Sequence, residues 1–232
     1  MEKNKGSFDI EKFVKKDVEK IWKKYENYNF IKYPPVTVKY IFFNSIIFIG
    51  LNPSLIDKSN RNLHKLESYV LYHERKDNYR YFNKFTDIAN ELSLKWSHID
   101  LLYYQNTKQK KIEKMLRKTS DPESNFINDQ LKVTSKLIIS IINNTNPKLF
   151  VVNNAFARKL FFNEKPFVMP NTSGETINFL WDDKIGTYLY KSIPFYFTGM
   201  LTGQRALDNG SYKRLTWQIK HYLRNDNKKH SY

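Results

Sequence analysis

The sequence predicts an α/β fold, a three-layer α/β/α sandwich around a central, mainly parallel, four-stranded sheet. Short apolar runs rich in β-branched residues alternate along the chain with amphipathic segments of helical period. Strands that alternate with helices form parallel sheets covered on both faces. With 232 residues, of which 41% are hydrophobic, the chain is long enough to bury one sizeable core. We therefore expect a single domain over residues 1–232.

The predicted core strands are apolar runs bounded by polar or turn-forming residues. The first, at 45–50, is continuously apolar, which is typical of a strand buried on both faces. The other core strands are predicted at 96–103, 148–153 and 193–198. Two further short strands, at 177–181 and 187–190, are predicted to form a hairpin.

Apolar spacing and capping residues predict the helices. Residues 10–25 form an amphipathic helix within an N-terminal helical extension, residues 1–40. Another helix is expected to begin at Asp121-Pro122, with Asp121 as N-cap and Pro122 in the first helical position. Further helices are predicted near 82–92, 155–162 and 215–223, and the chain ends in a basic tail at 225–232.

The residue inventory excludes several classes of chemistry. The chain has no cysteine, which excludes disulfides, thiolate zinc sites, iron–sulfur clusters and thiol nucleophiles. His64, His73 and His98 lack metal-ligand spacing, so we expect neither a metal nor an organic cofactor. No signal peptide or membrane-spanning stretch is recognisable, which favours a cytoplasmic protein that does not bind membranes. We also expect the protein to be a monomer.

The charge of the chain favours a polyanionic partner. A formal net charge of +16 raises the local concentration of nucleic acid near the protein and steers its approach. Lysine outnumbers arginine, and Asn, Ile, Tyr and Phe are abundant, a composition that an AT-rich genome also produces. Charge alone therefore leaves DNA binding open.

The predicted sheet fixes where a ligand would bind. In open parallel sheets, ligands lie beyond the carboxyl ends of the strands, where loops converge and helix N-termini present amide donors. The loops concerned are 50–54, 100–107, 153–154 and 198–208. The first reads Gly50-Leu51-Asn52-Pro53-Ser54, in which glycine permits a sharp exit from the strand and proline fixes the turn. An asparagine amide held there can orient a water molecule.

This stretch resembles the first motif of the uracil-DNA glycosylase superfamily. The closest versions occur in the mismatch-specific and single-strand-selective branches, where Gly-x-Asn-Pro supplies the water-positioning asparagine. The resemblance extends over the sheet framework, residues 46–223. The second motif departs from the family, which has His-Pro-Ser or Asn-Pro-Ser where this chain has Met200-Leu201-Thr202. Uracil itself is therefore in doubt as the substrate, and a damaged or modified base is the alternative.

The resemblance implies extrusion of a nucleotide from the stack and hydrolysis of the bond between its base and sugar. Asn52 would then position the attacking water. Asp100, at the end of the second strand, is a further catalytic candidate, although a lone acid there is also a common structural hydrogen-bond acceptor. Asp57 is a second carboxylate candidate.

Base binding would involve the first loop and the third strand. Gly50, Leu51, Pro53 and Ser54 would line the base, and Asn153 or Asn154 would read its edge. Both asparagines are equally compatible with a plain turn. The stacking aromatic ring is expected to be one of Tyr69, Tyr72 and Phe82.

The loop after the fourth strand and the last helix are the predicted DNA contacts. Met200 and Leu201 are candidates for a wedge inserted between bases, or are simply core residues. The predicted polar and basic contacts are Thr202, Gln204, Arg205, Lys213 and Arg214. Two other functions stay open: a catalytically silent DNA-binding protein that recognises unusual bases, and a hydrolase of free nucleotides or nucleosides.

Overall fold

The computed structural model describes residues 6–54, 67–69, 80–106, 108–118, 121–162, 178–203 and 206–229. This part of the chain is a mixed α/β protein with six helices and ten strands. The helices are α1 (Ile10–Tyr25), α2 (Arg80–Glu91), α3 (Gln109–Arg117), α4 (Pro122–Thr145), α5 (Ala155–Phe161) and α6 (Asn209–Lys229). The strands are β1 (Ser7–Asp9), β2 (Val36–Val38), β3 (Tyr40–Phe42), β4 (Ile46–Gly50), β5 (Glu67–Tyr69), β6 (Trp96–Asp100), β7 (Leu149–Val152), β8 (Leu180–Asp182), β9 (Thr187–Tyr190) and β10 (Ile193–Phe197).

The central sheet has six strands in the order β6-β4-β7-β10-β9-β8. The first four are the predicted core strands, and they pair in parallel. Gly50 lies opposite Asp100, and Val152 lies opposite both Ile49 and Phe197. The carboxyl ends of all four strands therefore meet at one edge of the sheet.

The prediction of a four-stranded sheet is wrong in extent. The predicted hairpin adds β9 and β8 to the same sheet, antiparallel to β10. The turn from β9 into β10 consists of Lys191 and Ser192, which both have positive φ, at 49° and 65°. Turns of this kind usually carry Asn-Gly or Asp-Gly. Because Lys-Ser lacks that signature, the sequence did not indicate that these strands pair.

Helices contribute to apolar cores on both faces of the sheet. Side chains from α1, α3, α4 and α5 form the larger core, and side chains from α2 and α6 form the smaller one. Val14 and Val18 of α1 are fully buried in the larger core. The predicted N-terminal extension thus contains a helix that packs into the main body of the protein. Among the described residues, no helix combines the length and apolar character needed to cross a bilayer.

Capping explains where two of the helices begin. The Asp121 carboxylate accepts from the Glu123 backbone N–H at the start of α4, which confirms the predicted cap. The α6 helix begins at Asn209, six residues before its predicted start at Leu215. The Asp208 carboxylate accepts from the backbone N–H of Ser211 at 2.9 Å, so the last residue of the predicted DNA-binding loop caps the helix that follows it.

Candidate functional site

Four polar side chains gather on one face of the sheet, at the edge where the parallel strands end. They are Tyr81, His98, Asp100 and Asn153, which we call the edge cluster. His98 and Asp100 are two residues apart on β6, so their side chains lie on the same face. Asn153 follows β7 directly, and its backbone N–H donates to the Ile49 carbonyl at 3.0 Å. Tyr81 comes from the first turn of α2.

Gly50 makes room for the Asp100 carboxyl. A Cβ atom at position 50 would overlap Asp100 Oδ1 and would lie 3.0 Å from His98 Nε2. The glycine is not in the left-handed region of φ, so the predicted reason for it, a sharp exit from the strand, does not apply. The close approach of the neighbouring strand's carboxyl is the physical reason for glycine here.

Burial changes the protonation of the edge cluster. It raises the pKa of Asp100 to about 8 and lowers the pKa of His98 to about 3, because the charged form of each side chain is poorly solvated there. The side chains are only 13% and 4% exposed, respectively. Burial, and secondarily the charge of Asp100, also raise the pKa of Tyr81. At neutral pH the cluster therefore presents a carboxylic acid, a neutral imidazole and a phenol.

The edge cluster contains buried polar atoms without hydrogen-bond partners in the described part of the protein. They are Asn153 Oδ1 and both ring nitrogens of His98. Asn153 Nδ2 reaches the Tyr81 hydroxyl at 3.5 Å, at the limit of a hydrogen bond. An unsatisfied buried polar atom costs about 1–3 kcal/mol, so such a group calls for an explanation. A bound ligand that pairs with these atoms would recover that cost.

Asn52, the predicted water-positioning residue, ties two loops together. Its Nδ2 donates to the carbonyls of Asn106 at 2.6 Å, Pro53 at 3.0 Å and Tyr104 at 3.4 Å. The Pro53 carbonyl also accepts from the Asn106 backbone N–H. These bonds fix the first loop against the chain that follows β6. Any role in holding water would fall to Oδ1, since Nδ2 is already bound.

The rest of the first loop divides between core and surface. Leu51 is 4% exposed and belongs to the larger apolar core, and Pro53 is buried. Ser54 is exposed at the end of the described segment. Of these three predicted base contacts, Ser54 alone presents an exposed side chain.

The two adjacent asparagines after β7 have different roles. Asn153 is 1% exposed and belongs to the edge cluster. Asn154 is the N-cap of α5, where its Oδ1 accepts from the backbone N–H groups of Phe156 and Ala157 at 2.8 and 3.0 Å. Its Nδ2 donates to Gln109. Asn154 thus already serves as a helix cap, whereas Asn153 Oδ1 accepts no hydrogen bond from the described residues.

The loop after β10 packs against the start of α2. Leu201 is 3% exposed and lies in the smaller core, whereas Met200 is half-buried. Thr202 Oγ1 donates to the Tyr81 backbone carbonyl at 3.0 Å. Of the two predicted wedge residues, Leu201 is accordingly a core residue, and Met200 is the more accessible one.

The α6 helix carries the predicted basic contacts on its exposed side. Lys213 and Arg214 are exposed, one turn before Trp217, which is 62% exposed and stacks on His221 with ring centroids 5.2 Å apart. Exposed cations next to an exposed aromatic ring suit a nucleic-acid strand.

Several predicted residues cannot be placed. Asp57, Tyr72, Gln204, Arg205 and the side chain of Tyr69 lie outside the described residues. Phe82 is buried, stacked on Trp96 at 5.8 Å, and is part of the smaller core.

Two members of the edge cluster, His98 and Tyr81, were not predicted as residues of this site. The alternation Trp96, His98, Asp100 along β6 was the available signal, because it places the imidazole and the carboxyl on one face. Tyr81 gave no comparable signal, since its position depends on how α2 meets β7. Within the described residues, no group of three or more His, Asp and Glu side chains could hold a metal ion.

No protein family, curated protein or solved structure matches this chain.

Proposed function

We propose that this protein is a DNA N-glycosylase that hydrolyses the bond between the sugar and a flipped uracil-like, damaged or modified base. One observation carries the proposal. At the carboxyl edge of the parallel strands, the Asp100 carboxyl and the Asn153 amide lie in one buried cluster with an unpaired acceptor. A carboxyl can activate water, and an amide can read the edge of a base, which are the two tasks that base excision requires.

The reaction assigns one task to each residue. The Asp100 carboxylate, once ionised, accepts a proton from a water molecule whose oxygen attacks C1′ of the sugar. The bond between C1′ and the base nitrogen breaks, and its electron pair leaves with the base, which takes a proton from solvent. Asn52 Oδ1 would help hold the water, and Asn153 Oδ1 would accept from an N–H group of the base.

The raised pKa of Asp100 is compatible with this role. A general base works best when its pKa lies near the working pH, and burial brings the Asp100 carboxyl into that range. The buried and uncharged surroundings also suit a neutral heterocycle better than a phosphate. This favours a base over the phosphate of a free nucleotide as the group held at the edge cluster.

The surface of α6 supports DNA as the substrate. Lys213 and Arg214 provide phosphate contacts, and the exposed Trp217 provides a stacking surface. Contacts to phosphates release counterions, so binding is expected to weaken steeply as salt rises. A hydrolase of free nucleosides would show little dependence on salt.

The proposal is tested by measuring base release from single- and double-stranded DNAs that carry uracil, hypoxanthine, oxidised pyrimidines or hypermodified pyrimidines. Abasic sites are detected as alkali-labile breaks. We expect release by the wild type and loss of release in Asp100→Asn and Asn153→Ala. Asp87→Asn is a matched control, because that carboxylate is exposed on α2. Binding without release on every substrate would refute the glycosylase and favour the catalytically silent DNA reader.

A further inference from the structure

His98 and Asp100 face each other inside the protein, and within the described part of the chain the histidine has no hydrogen-bond partner at either ring nitrogen. His98 Nε2 lies 3.6 Å from Asp100 Oδ1, slightly beyond hydrogen-bond distance. The histidine is 5% exposed. A buried imidazole usually donates one N–H to a carbonyl or a carboxylate. Here, Asp100 is the neighbour that can receive it.

The other surroundings of His98 offer no competing partner among the described residues. Its ring lies against Phe82 and Phe85, with centroids 5.4 and 5.7 Å away. Tyr81 of α2 also packs against it at 6.4 Å and is the titratable group facing the pair from that helix. On β4, Phe48 pairs with His98 and Gly50 pairs with Asp100, and Asn153 follows β7 within reach of the Tyr81 hydroxyl; none of these three residues titrates.

We propose that His98 is a positioning residue for Asp100: when the carboxyl ionises, the His98 Nε2–H donates to Oδ1 and holds the carboxylate in place. A movement of a few tenths of an ångström closes the 3.6 Å gap. The carboxylate would otherwise be a buried charge without a partner, which is costly. The second carboxylate oxygen stays available to take a proton. The pairing itself does not depend on the glycosylase, but its catalytic purpose rests on the proposed function.

The pair has two protonation states that differ by one proton. Below the midpoint of the Asp100 titration, the carboxyl O–H donates to Nε2, and the imidazole carries its proton on Nδ1. Above the midpoint, the carboxyl proton has left for solvent, and the imidazole carries its proton on Nε2, where it donates to the carboxylate. The imidazole stays neutral throughout, so one proton is exchanged with solvent and the tautomer of His98 changes with it.

Two substitutions separate this role from simple packing. In His98→Gln the side-chain nitrogen can occupy the place of Nε2, which lies 3.6 Å from Asp100, whereas in His98→Asn it can occupy only the place of Nδ1. The Asp100 midpoint is read from the ¹³C shift of its carboxyl in a pH titration of each protein. We expect His98→Gln to resemble the wild type and His98→Asn to titrate at least about one pH unit higher, a tenfold change in the ionisation constant.

A second test uses the wild-type protein and therefore does not depend on the folding of a variant. The ¹⁵N shifts of the His98 ring should change from the Nδ1–H to the Nε2–H tautomer at the same midpoint as the Asp100 carboxyl. Ring shifts that do not follow Asp100 would overturn the proposal, as would an identical Asp100 midpoint in the wild type and His98→Asn.

Base release separates this proposal from the proposed function. If both hold, the pH profile of base release in His98→Asn moves upward by the same amount as the Asp100 midpoint. If the midpoint moves but no DNA in the panel loses a base, the pairing stands and the glycosylase fails. If base release occurs with an unchanged profile in His98→Asn, the glycosylase stands and the positioning role fails.

Discussion

Replacing Asp100 by asparagine removes a buried carboxyl group whose charged form is poorly solvated in the folded protein. In the folded protein its pKa is about 8, against a usual value of about 3.9. The folded state therefore keeps a proton that the unfolded state releases as pH rises above about 4. The contribution of this proton to stability is fully present below that pH and is lost as pH rises toward 8.

The size of the effect follows from the pKa difference. Each pH unit inside that window is worth at most about 1.4 kcal/mol, so between pH 5 and pH 8 the wild type loses up to about 4 kcal/mol relative to Asp100→Asn. His98, whose pKa burial lowers, loses its contribution in the opposite direction, as pH falls from about 6.5 toward 3. The imidazole is present in both proteins, so to first order its effect cancels in the difference.

The assay is urea unfolding of both proteins at pH 5, 6, 7 and 8, with the free energy of unfolding extrapolated to water. Asp87→Asn, which changes a carboxylate that is 56% exposed, should follow the wild type at every pH. Parallel curves for the wild type and Asp100→Asn would contradict a raised pKa of Asp100, because they would mean that this carboxyl ionises in the folded protein as it does in the unfolded chain.

Five further substitutions test the surroundings of the site. Gly50→Ala should displace the Asp100 carboxyl, because the new Cβ overlaps Asp100 Oδ1. If the proposed function holds, base release should fall by at least about tenfold. Unchanged base release together with an unchanged Asp100 titration would contradict this. Leu201→Ala should lower the free energy of unfolding by about 2–5 kcal/mol, and Met200→Ala should lower it by clearly less, since Leu201 is buried and Met200 is only half-buried. Equal losses in urea unfolding would contradict the assignment of Leu201 to the core. Lys213→Ala and Arg214→Ala should each reduce the slope of log affinity against log salt by about one in DNA-binding titrations, whereas unchanged slopes would exclude α6 from the interface.

The sequence was a good guide to the parallel part of the fold because that part depends on local patterns. The runs around Ile47 and Phe150 are continuously apolar, as strands buried on both faces require. The Asp121-Pro122 cap placed the start of α4 correctly. Such signals depend on side chains a few residues apart, and tertiary contacts do not alter them.

The features that were not predicted depend on contacts distant in sequence or on atypical turns. The strands β1, β2, β3 and β5 are three residues long, too short for a periodic pattern. The Lys-rich stretch that forms α3 also contains buried apolar side chains, among them Ile112 and Met115.

The candidate site was predicted in part. The four loops meet at one edge, as the strand pattern indicated, and Asp100 and Asn153 lie there. The sequence could not show that Asn154 caps α5 or that the Asn52 amide is bound to three carbonyls. Asn153 and Asn154 stand in the same local sequence pattern, and their roles differ because the α5 helix begins directly after Asn154. The base-excising function stays a prediction.

The proposed function assigns to Asp100 the role of the base in a base-excision reaction. It is tested most directly by the pH dependence of base release under single-turnover conditions, with the wild type and Asp100→Asn compared on the DNA that reacts best. We expect a rate that rises about tenfold per pH unit up to about pH 8 and then levels off in the wild type, with loss of this rise in Asp100→Asn. The same rate and the same pH profile in both proteins would contradict it.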